Sequence, residues 1–116
     1  MTPENRIKRD ICEYLKTQKD IFFWTTKTVG TYDPSRGIFR KNTDPFYIRG
    51  VSDILGLFED GRFLAIEVKT KTGRLSDFQR EFLERVKAMG GLAIVARSVD
   101  DVRAILEPPG GSPTLL

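Results

Sequence analysis

The chain has 116 residues, of which 40% are hydrophobic and 30% charged, and its net charge is +3. This length predicts one domain with one hydrophobic core. No stretch reaches the ~20 apolar residues of a membrane helix, and no apolar run marks a secretory signal, so we expect a cytoplasmic protein without membrane contact. The one cysteine, Cys12, excludes an internal disulfide framework. The chain has no histidine, which excludes a Ser-His-Asp triad and a histidine-bound metal within it.

The order of apolar patterns predicts an α/β fold with a mixed sheet. Apolar residues at helical spacing, begun by Thr2 and Pro3, predict a first helix over residues 4–17. Strands are predicted over residues 21–29, 51–58, 63–69 and 92–96, and helices over residues 77–89 and from Ser98 onward. We expect Phe22 and Trp24 to belong to the sheet core, with a base-stacking surface as the alternative.

The helix predicted over residues 77–89 carries its own start and stop signals. Ser76 and Gln79 fit a capping box, and Gly90 fits a C-terminal stop. Its apolar stripe is predicted to consist of Phe78, Phe82, Val86 and Met89.

Residues 30–50 contain several breakers of regular structure and are predicted to form an irregular basic loop. Its cations include Arg36, Arg40, Lys41 and Arg49. Long loops on small domains are more often functional than not. We therefore predict a domain over residues 1–107 that includes this loop, followed by a flexible tail over residues 108–116.

The strand over residues 63–69 combines an apolar face with a charged one. Because alternate residues of a strand share a face, Leu64, Ile66 and Val68 point one way and Ala65, Glu67 and Lys69 the other. A carboxylate and an ammonium group thus project side by side. An ordinary salt bridge on a solvent-facing sheet is the alternative interpretation.

The position of Asp53 depends on the register of the hairpin between the two central strands. A two-residue loop would place Asp53 on the apolar face, whereas a three-residue loop with left-handed Gly61 places it opposite Glu67. We predict the three-residue loop because the apolar alternation of both strands then agrees. Carboxylates so placed lie ~4.5–5.5 Å apart at Cβ and repel unless a cation separates them.

Lys69 is one such cation, and a divalent ion bound through oxygen is another. The chemistry that fits is metal-assisted phosphodiester hydrolysis, in which Asp53 and Glu67 hold the metal. Lys69 can then position the attacking water or stabilise the charge that develops on the phosphate.

Asp53, followed after thirteen residues by Glu67-Val68-Lys69, resembles the D…E-x-K signature of the PD-(D/E)xK nucleases. The wider context resembles the VRR-NUC (virus-type replication–repair nuclease) family, especially its small stand-alone, phage-type members. The motifs are Gly50-Val-Ser-Asp-Ile, Glu67-Val-Lys, Gly73-Arg-Leu-Ser, Gln79-Arg-Glu-Phe-Leu and the stretch from Gly90 to Asp101. The resemblance runs over about residues 4–106 and is weak across the basic loop.

The resemblance implies an αβββαβ core, nuclease activity with Mg²⁺ or Mn²⁺, and action on branched DNA, as in a Holliday-junction resolvase that forms a homodimer. By position, Asp53, Glu67 and the backbone carbonyl of Val68 match metal contacts, and Lys69 matches the catalytic lysine. Gln79 matches a glutamine of the family near the site, although the capping box alone also explains it. At residue 52 the family usually has proline, and this chain has serine.

The family pattern also includes a glutamate on the first helix, for which the chain offers two candidates. Glu4 shares the inward face of Ile7 and Ile11, whereas Glu13 points outward. We therefore choose Glu4, although an acid in the first turn of a helix is favourable without any catalytic role.

Cations near the motif are candidates for contacts with DNA phosphates, with a solvated charged surface as the alternative. They are Lys71, Arg74, Arg49, Arg40, Lys41 and Arg36. The leading function is thus a metal-dependent DNA endonuclease. Two alternatives stay open: a nucleic-acid-binding module that does not cut, and a nuclease subunit that acts on flaps or nicks with a replication–repair partner.

Overall fold

The computed structural model describes residues 1–26, 31–33, 38–40 and 44–109. The helices and strands are, in chain order, α1 (Pro3–Lys16), β1 (Ile21–Thr25), β2 (Thr31–Asp33), β3 (Ile38–Arg40), β4 (Ile54–Phe58), β5 (Phe63–Val68), α2 (Asp77–Ala88), β6 (Leu92–Ala96) and α3 (Val99–Leu106). Within the described ranges, no helix is both long and apolar enough to cross a membrane.

The main sheet has four strands in the order β1-β4-β5-β6. β4 pairs antiparallel with both β1 and β5, and β5 pairs parallel with β6. A parallel pair needs a crossover connection, and α2 supplies it. The α/β class and the mixed sheet are therefore confirmed.

Side-chain caps define where the helices begin. The Thr2 hydroxyl accepts a hydrogen bond from the Asn5 amide at 3.1 Å, and Pro3 occupies the first helical turn. Ser76 and Gln79 form the complete capping box of α2, and Ser98 caps α3. Each cap satisfies an amide that the helix cannot pair internally, which is worth about 1 kcal/mol. The predicted helix starts are confirmed.

The hairpin between β4 and β5 has the three-residue loop. Gly61 has a φ of +89°, and the Phe58 amide donates to the Arg62 carbonyl at 2.9 Å. In this register Ile54 pairs with Ile66. The residue before β4, Asp53, therefore lies opposite Glu67, on the same face of the sheet.

The two faces of the sheet bury different helices. One face packs against α1 and α3, around buried Ile11, Leu15, Ile66 and Val102. Each fully buried side chain of this size contributes ~1.5–3 kcal/mol. On the other face α2 packs over β5 and β6 and buries Ala65. No described element packs over the β1–β4 half of that second face.

One prediction about apolar side chains was right only for Phe82 and Val86, and another was wrong. Within α2 the buried residues are Leu83 and Val86, whereas Phe78 and Met89 are exposed and line a groove of about 500 Å³. In β1, Phe22 is 68% exposed and Trp24 37% exposed, so neither belongs to the core. Because α2 crosses only half of the sheet face, apolar side chains beyond its footprint stay in solvent.

The basic loop is partly regular. β2 and β3 lie within residues 30–50 and pair antiparallel, with Tyr32 opposite Phe39. The prediction of an irregular segment was therefore wrong over these strands, which consist largely of β-branched and aromatic residues. Arg36, Lys41, the side chain of Arg40 and tail residues 110–116 lie outside the described residues. The domain boundary at residue 107 stays a prediction.

Gly50 makes a testable contribution to stability. Its φ is +77°, and a Cβ there would lie 2.3 Å from the Phe78 carbonyl carbon in the first turn of α2. Gly61 has a similar φ, but nothing lies within 4 Å of its Cβ position. We expect Gly61→Ala to lower the free energy of unfolding by ~1–2 kcal/mol through backbone strain. Gly50→Ala should lower it by a further ~1–3 kcal/mol, since backbone must move.

Urea denaturation of the two variants and the wild type measures this difference. Equal losses in the two variants would show that the close approach of Gly50 to α2 contributes nothing.

Candidate active site

Asp53 and Glu67 meet at one end of the central strand pair. Asp53 directly precedes β4, and Glu67 is the last but one residue of β5. The Asp53 Oδ2 accepts a hydrogen bond from the Val68 amide at 2.8 Å. On the other side, the Thr26 amide donates to the Asp53 carbonyl at 3.0 Å. The position of the Asp53 side chain therefore depends on both neighbouring strands.

Glu67 is a buried carboxyl group, with only 2% of its surface exposed. Burial raises its pKa from 4.5 to about 8, and a hydrogen bond with Asp53 and the Asp53 charge add to the rise. Within the described part of the chain, its Oε1 is buried without a hydrogen-bond partner. A buried oxygen of this kind is costly to folding and therefore indicates a position held for something other than stability.

Lys69 supplies the nearest positive charge. Its Nζ lies 3.7 Å from the Glu67 Oε2, and this ion pair lowers the pKa of Glu67 against the effects of burial. The Lys69 amide donates to the Ala96 carbonyl at 2.9 Å, which continues the pairing between β5 and β6. The side chain is thus held beside the carboxylates by a backbone that is itself paired.

Gln79 makes the contacts expected from both interpretations, those of the cap and those of a position beside Glu67. Its Oε1 accepts from the Ser76 amide at 2.9 Å, which completes the capping box. Its Nε2 donates to the Glu67 Oε2 at 3.3 Å. Because the cap uses the oxygen of the amide, the NH₂ group is oriented toward Glu67. Capping therefore positions Gln79 for the site and does not compete with that function.

Of the two glutamates on α1, the structure brings Glu4 toward the site. Glu4 is partly buried, and its charge contributes to the raised pKa of Glu67. Glu13 is exposed, and its charge acts on Cys12 instead. The placement agrees with the choice of Glu4, and its role stays a prediction.

Some of the cations proposed for DNA contacts lie on described segments that are next to Asp53 or Glu67 in the chain. Lys71 and Arg74 are exposed on the segment that follows β5. Arg49 is exposed on the segment before β4, with its guanidinium 5.5 Å from the centre of the Phe78 ring. Three of the six predicted phosphate contacts therefore lie on the described segments that lead to Asp53 or follow Glu67.

Sequence reasoning did not identify Arg97, which organises the segment after β5. Its Nη1 donates to the carbonyls of Thr70, Lys71 and Gly73, the last at 2.7 Å. The Asp101 carboxylate in turn accepts from the Arg97 amide at 2.8 Å. No pattern in the sequence indicates the contacts with the three carbonyls, since they join residues that lie more than twenty positions apart.

The donor set fits a hard divalent cation. The Asp53 charge raises the pKa of Glu67, so the two carboxylates repel when both are ionised, and a cation between them would relieve that repulsion. The unpartnered Oε1 of Glu67 is a further free ligand. No group of three or more His, Cys, Asp or Glu side chains within the described ranges is arranged to hold a metal. Two carboxylates completed by water and phosphate suit Mg²⁺ or Mn²⁺ better than zinc.

The buried carboxyl predicts how stability depends on pH without metal. Because the folded protein keeps a proton on Glu67 that the unfolded chain loses above pH 4.5, stability in EDTA should fall as the pH rises from about 4.5 to about 8. Glu67→Gln cannot ionise and should be more stable than the wild type at pH 8. A gain of about 1 kcal/mol corresponds to roughly 4 °C in Tm.

Thermal denaturation of both proteins between pH 5 and pH 9 in EDTA tests this expectation. The control is Glu84→Gln, an exposed glutamate of α2, which should keep the pH dependence of the wild type. An equal decline in the Glu67 variant would mean that this carboxyl is already ionised in the folded protein.

Part of the chain matches the model of a known protein family. The model of the VRR-NUC domain family matches residues 46–100, which include Asp53 and Glu67. A solved structure described as a VRR_NUC domain protein shares the fold with a TM-score of 0.61 and 18% identity, over 90% of this chain and 84% of that chain. None of the curated proteins matches significantly. A VRR-NUC domain implies a nuclease-type function. Residues 46–100 of this chain are therefore similar to a VRR-NUC domain, and the chain shares the fold of a VRR_NUC domain protein.

Proposed function

We propose that the protein is a DNA endonuclease that hydrolyses phosphodiester bonds in branched DNA and depends on Mg²⁺ or Mn²⁺. The observation that carries the proposal is the buried Glu67 carboxyl beside the half-buried Asp53, with the Lys69 ammonium 3.7 Å from Glu67. The match of residues 46–100 to the model of the VRR-NUC domain supports it. A purely structural ion pair would not need a second carboxylate beside a buried one.

Each residue of the site has a role that its contacts support. Asp53, Glu67 and the Val68 carbonyl would hold the cation, which, when bound, lowers the pKa of a water molecule and polarises the phosphate. The Gln79 Nε2 donates to the Glu67 Oε2 and so fixes the rotamer of Glu67. Lys69 supplies positive charge where the phosphate becomes more negative during attack. Glu4 adds negative charge at the edge of the site, which strengthens its preference for a cation.

The proposed substrate is branched DNA, with the four-way junction as its most symmetric form. One chain carries one site, and a symmetric junction requires cuts on two opposed strands. A homodimer therefore follows for junction cleavage, because a two-fold axis relates both the sites and the strands. The exposed cations Lys71, Arg74 and Arg49 would contact phosphates on either side of the cleaved bond. Arg97 would help to position Lys71 for such a contact, because its guanidinium donates to the backbone carbonyls of Lys71 and Gly73.

Cleavage of labelled DNA tests the function directly. We expect the wild type to cut a four-way junction with Mg²⁺ or Mn²⁺, at paired symmetric positions, and to be inactive in EDTA. Asp53→Asn and Glu67→Gln should reduce cutting to background while they keep DNA binding, since they remove metal ligands and no phosphate contact. Asp100→Asn, an exposed carboxylate on α3, is the control and should cut normally.

The same assay includes a linear duplex and a flap. Cutting of flaps or duplex in place of the junction would retain the nuclease and remove the junction substrate. Tight binding without cutting under any metal would contradict the nuclease, and cutting by Asp53→Asn would contradict the metal site.

Substitutions at Lys69 and Lys71 distinguish a positive charge that acts on the reacting phosphate from one that binds the DNA backbone. Lys69→Ala should lower kcat by roughly 10²–10³-fold, with little change in DNA affinity, because it removes charge at the reacting phosphate. Lys71→Ala should leave kcat almost unchanged, weaken binding and reduce the slope of log affinity against log salt by about one. Single-turnover kinetics and salt titrations measure both. Loss of folding as the main effect of Lys69→Ala would show that the ion pair is structural.

A further inference from the structure

An apolar strip remains exposed on the sheet face that α2 only half covers. It consists of Phe22 and Trp24 of β1 and Leu57 of β4, and we call it the aromatic strip. The Phe22 and Trp24 ring centres are 5.4 Å apart, and their planes are tilted by 47°. Large exposed side chains that adjoin one another on a small domain mark interaction sites more often than chance.

The aromatic strip continues the row of side chains that begins at the candidate active site. Trp24 pairs with Leu55 across the sheet, and Phe22 pairs with Leu57. Asp53 comes two residues before Leu55, so it projects from the same face one row away. Two residues along a strand span about 7 Å. Trp24 therefore lies one row from the carboxylates and Phe22 lies two rows from them.

We propose that the aromatic strip is a stacking surface for unpaired nucleobases of the strand whose phosphodiester bond lies at Asp53 and Glu67. This inference rests on the proposed function and names the part of the substrate that the site selects. The distance between successive rows resembles that between successive phosphates of an extended single strand. A phosphate at the carboxylates would thus place the next base over Trp24 and the following base over Phe22. Stacking on aromatic rings accepts every base, because each has a π face.

The extent and surroundings of the strip favour nucleobases over a second copy of the chain. A stable protein interface buries roughly 800 Å² on each partner, far more than three partly exposed side chains provide. The strip ends at a mixed charged edge, where Lys19, Asp20 and Glu59 lie beside Phe22. Because the strip offers two rings, the surface accommodates about two bases. Its continuity with the carboxylates places those bases next to the cleaved bond.

Trp24 is the only tryptophan in the chain, so its fluorescence reports on the strip directly. The experiment titrates the Asp53→Asn protein, which should bind without cutting, with duplexes that carry overhangs of zero to four thymidines. We expect quenching that grows up to two unpaired nucleotides and then levels off. Overhangs of abasic sites, which keep the phosphates and lack the bases, should not quench.

Substitutions at Phe22 separate stacking from general apolar contact. Phe22→Ala should weaken binding of the two-nucleotide overhang roughly tenfold and leave the blunt duplex unchanged. Phe22→Leu keeps an apolar side chain without a ring and should show the same loss. Ile105→Ala, an exposed apolar residue on α3, is the control and should bind like the wild type. Because Phe22 lies largely in solvent, these variants should keep the wild-type Tm.

Three results would overturn the inference. The first is that blunt or abasic duplexes quench the Trp24 fluorescence as much as thymidine overhangs do, and the second is that Phe22→Leu binds the two-nucleotide overhang as tightly as the wild type. The third is that the wild type sediments as a dimer and Phe22→Ala as a monomer. The last result would assign the strip to a second copy. The cleavage assay with the wild type tests the proposed function independently of these binding results. Quenching by unpaired bases without cutting under any metal would contradict the nuclease and support the strip, whereas cutting without base-dependent quenching would do the reverse.

Discussion

The placement of Asp53 opposite Glu67 is the constraint on which the site depends, and the hairpin between β4 and β5 determines it. The left-handed conformation of Gly61 allows a three-residue loop, and that loop sets the register of both strands. A shift by one residue would turn Asp53 into the apolar layer under α1 and α3, because side chains alternate between faces. The geometry of this carboxylate pair thus follows from a turn that lies about five residues away along each strand.

The placement of Asp53 opposite Glu67 also has an energetic cost, which the stability of the surrounding fold must offset. Glu67 is buried, one of its oxygens has no partner among the described residues, and its pKa is raised to about 8. The large apolar core on the opposite face, which includes Leu64, Ile66 and Val68 of the same strand, supplies the compensating stability. One strand therefore stabilises the domain with one face and holds an unfavourable charge with the other. Such local cost at a functional site is a common feature of enzymes.

α2 connects the site to the rest of that face. Its first turn is capped by Ser76 and Gln79, packs closely against Gly50, and directs the Gln79 amide to Glu67. Because the helix crosses β5 and β6 only, the carboxylate pair lies at the boundary between covered and open sheet. The open half carries Phe22 and Trp24, and this arrangement gives a substrate access to the carboxylates along the sheet surface.

Local patterns in the sequence determined most of the fold and the central part of the site. Capping residues, strand alternation and one glycine were sufficient for the helix starts, the β4–β5 register and the grouping of Asp53, Glu67 and Lys69, because each depends on interactions between residues close in the chain or directly paired. The dual role of Gln79 also follows from a local cap, once the direction of its amide is known.

Only the tertiary structure decided which apolar side chains are buried and which cations are held in place. The exposure of Phe22 and Phe78 depends on the path of α2 across the sheet, and helical periodicity carries no information about that path. The contacts of Arg97 with the segment after β5 join the ends of two parallel strands, which a crossover helix separates in the chain. Packing between distant segments determines both features, so no short stretch of sequence specifies them.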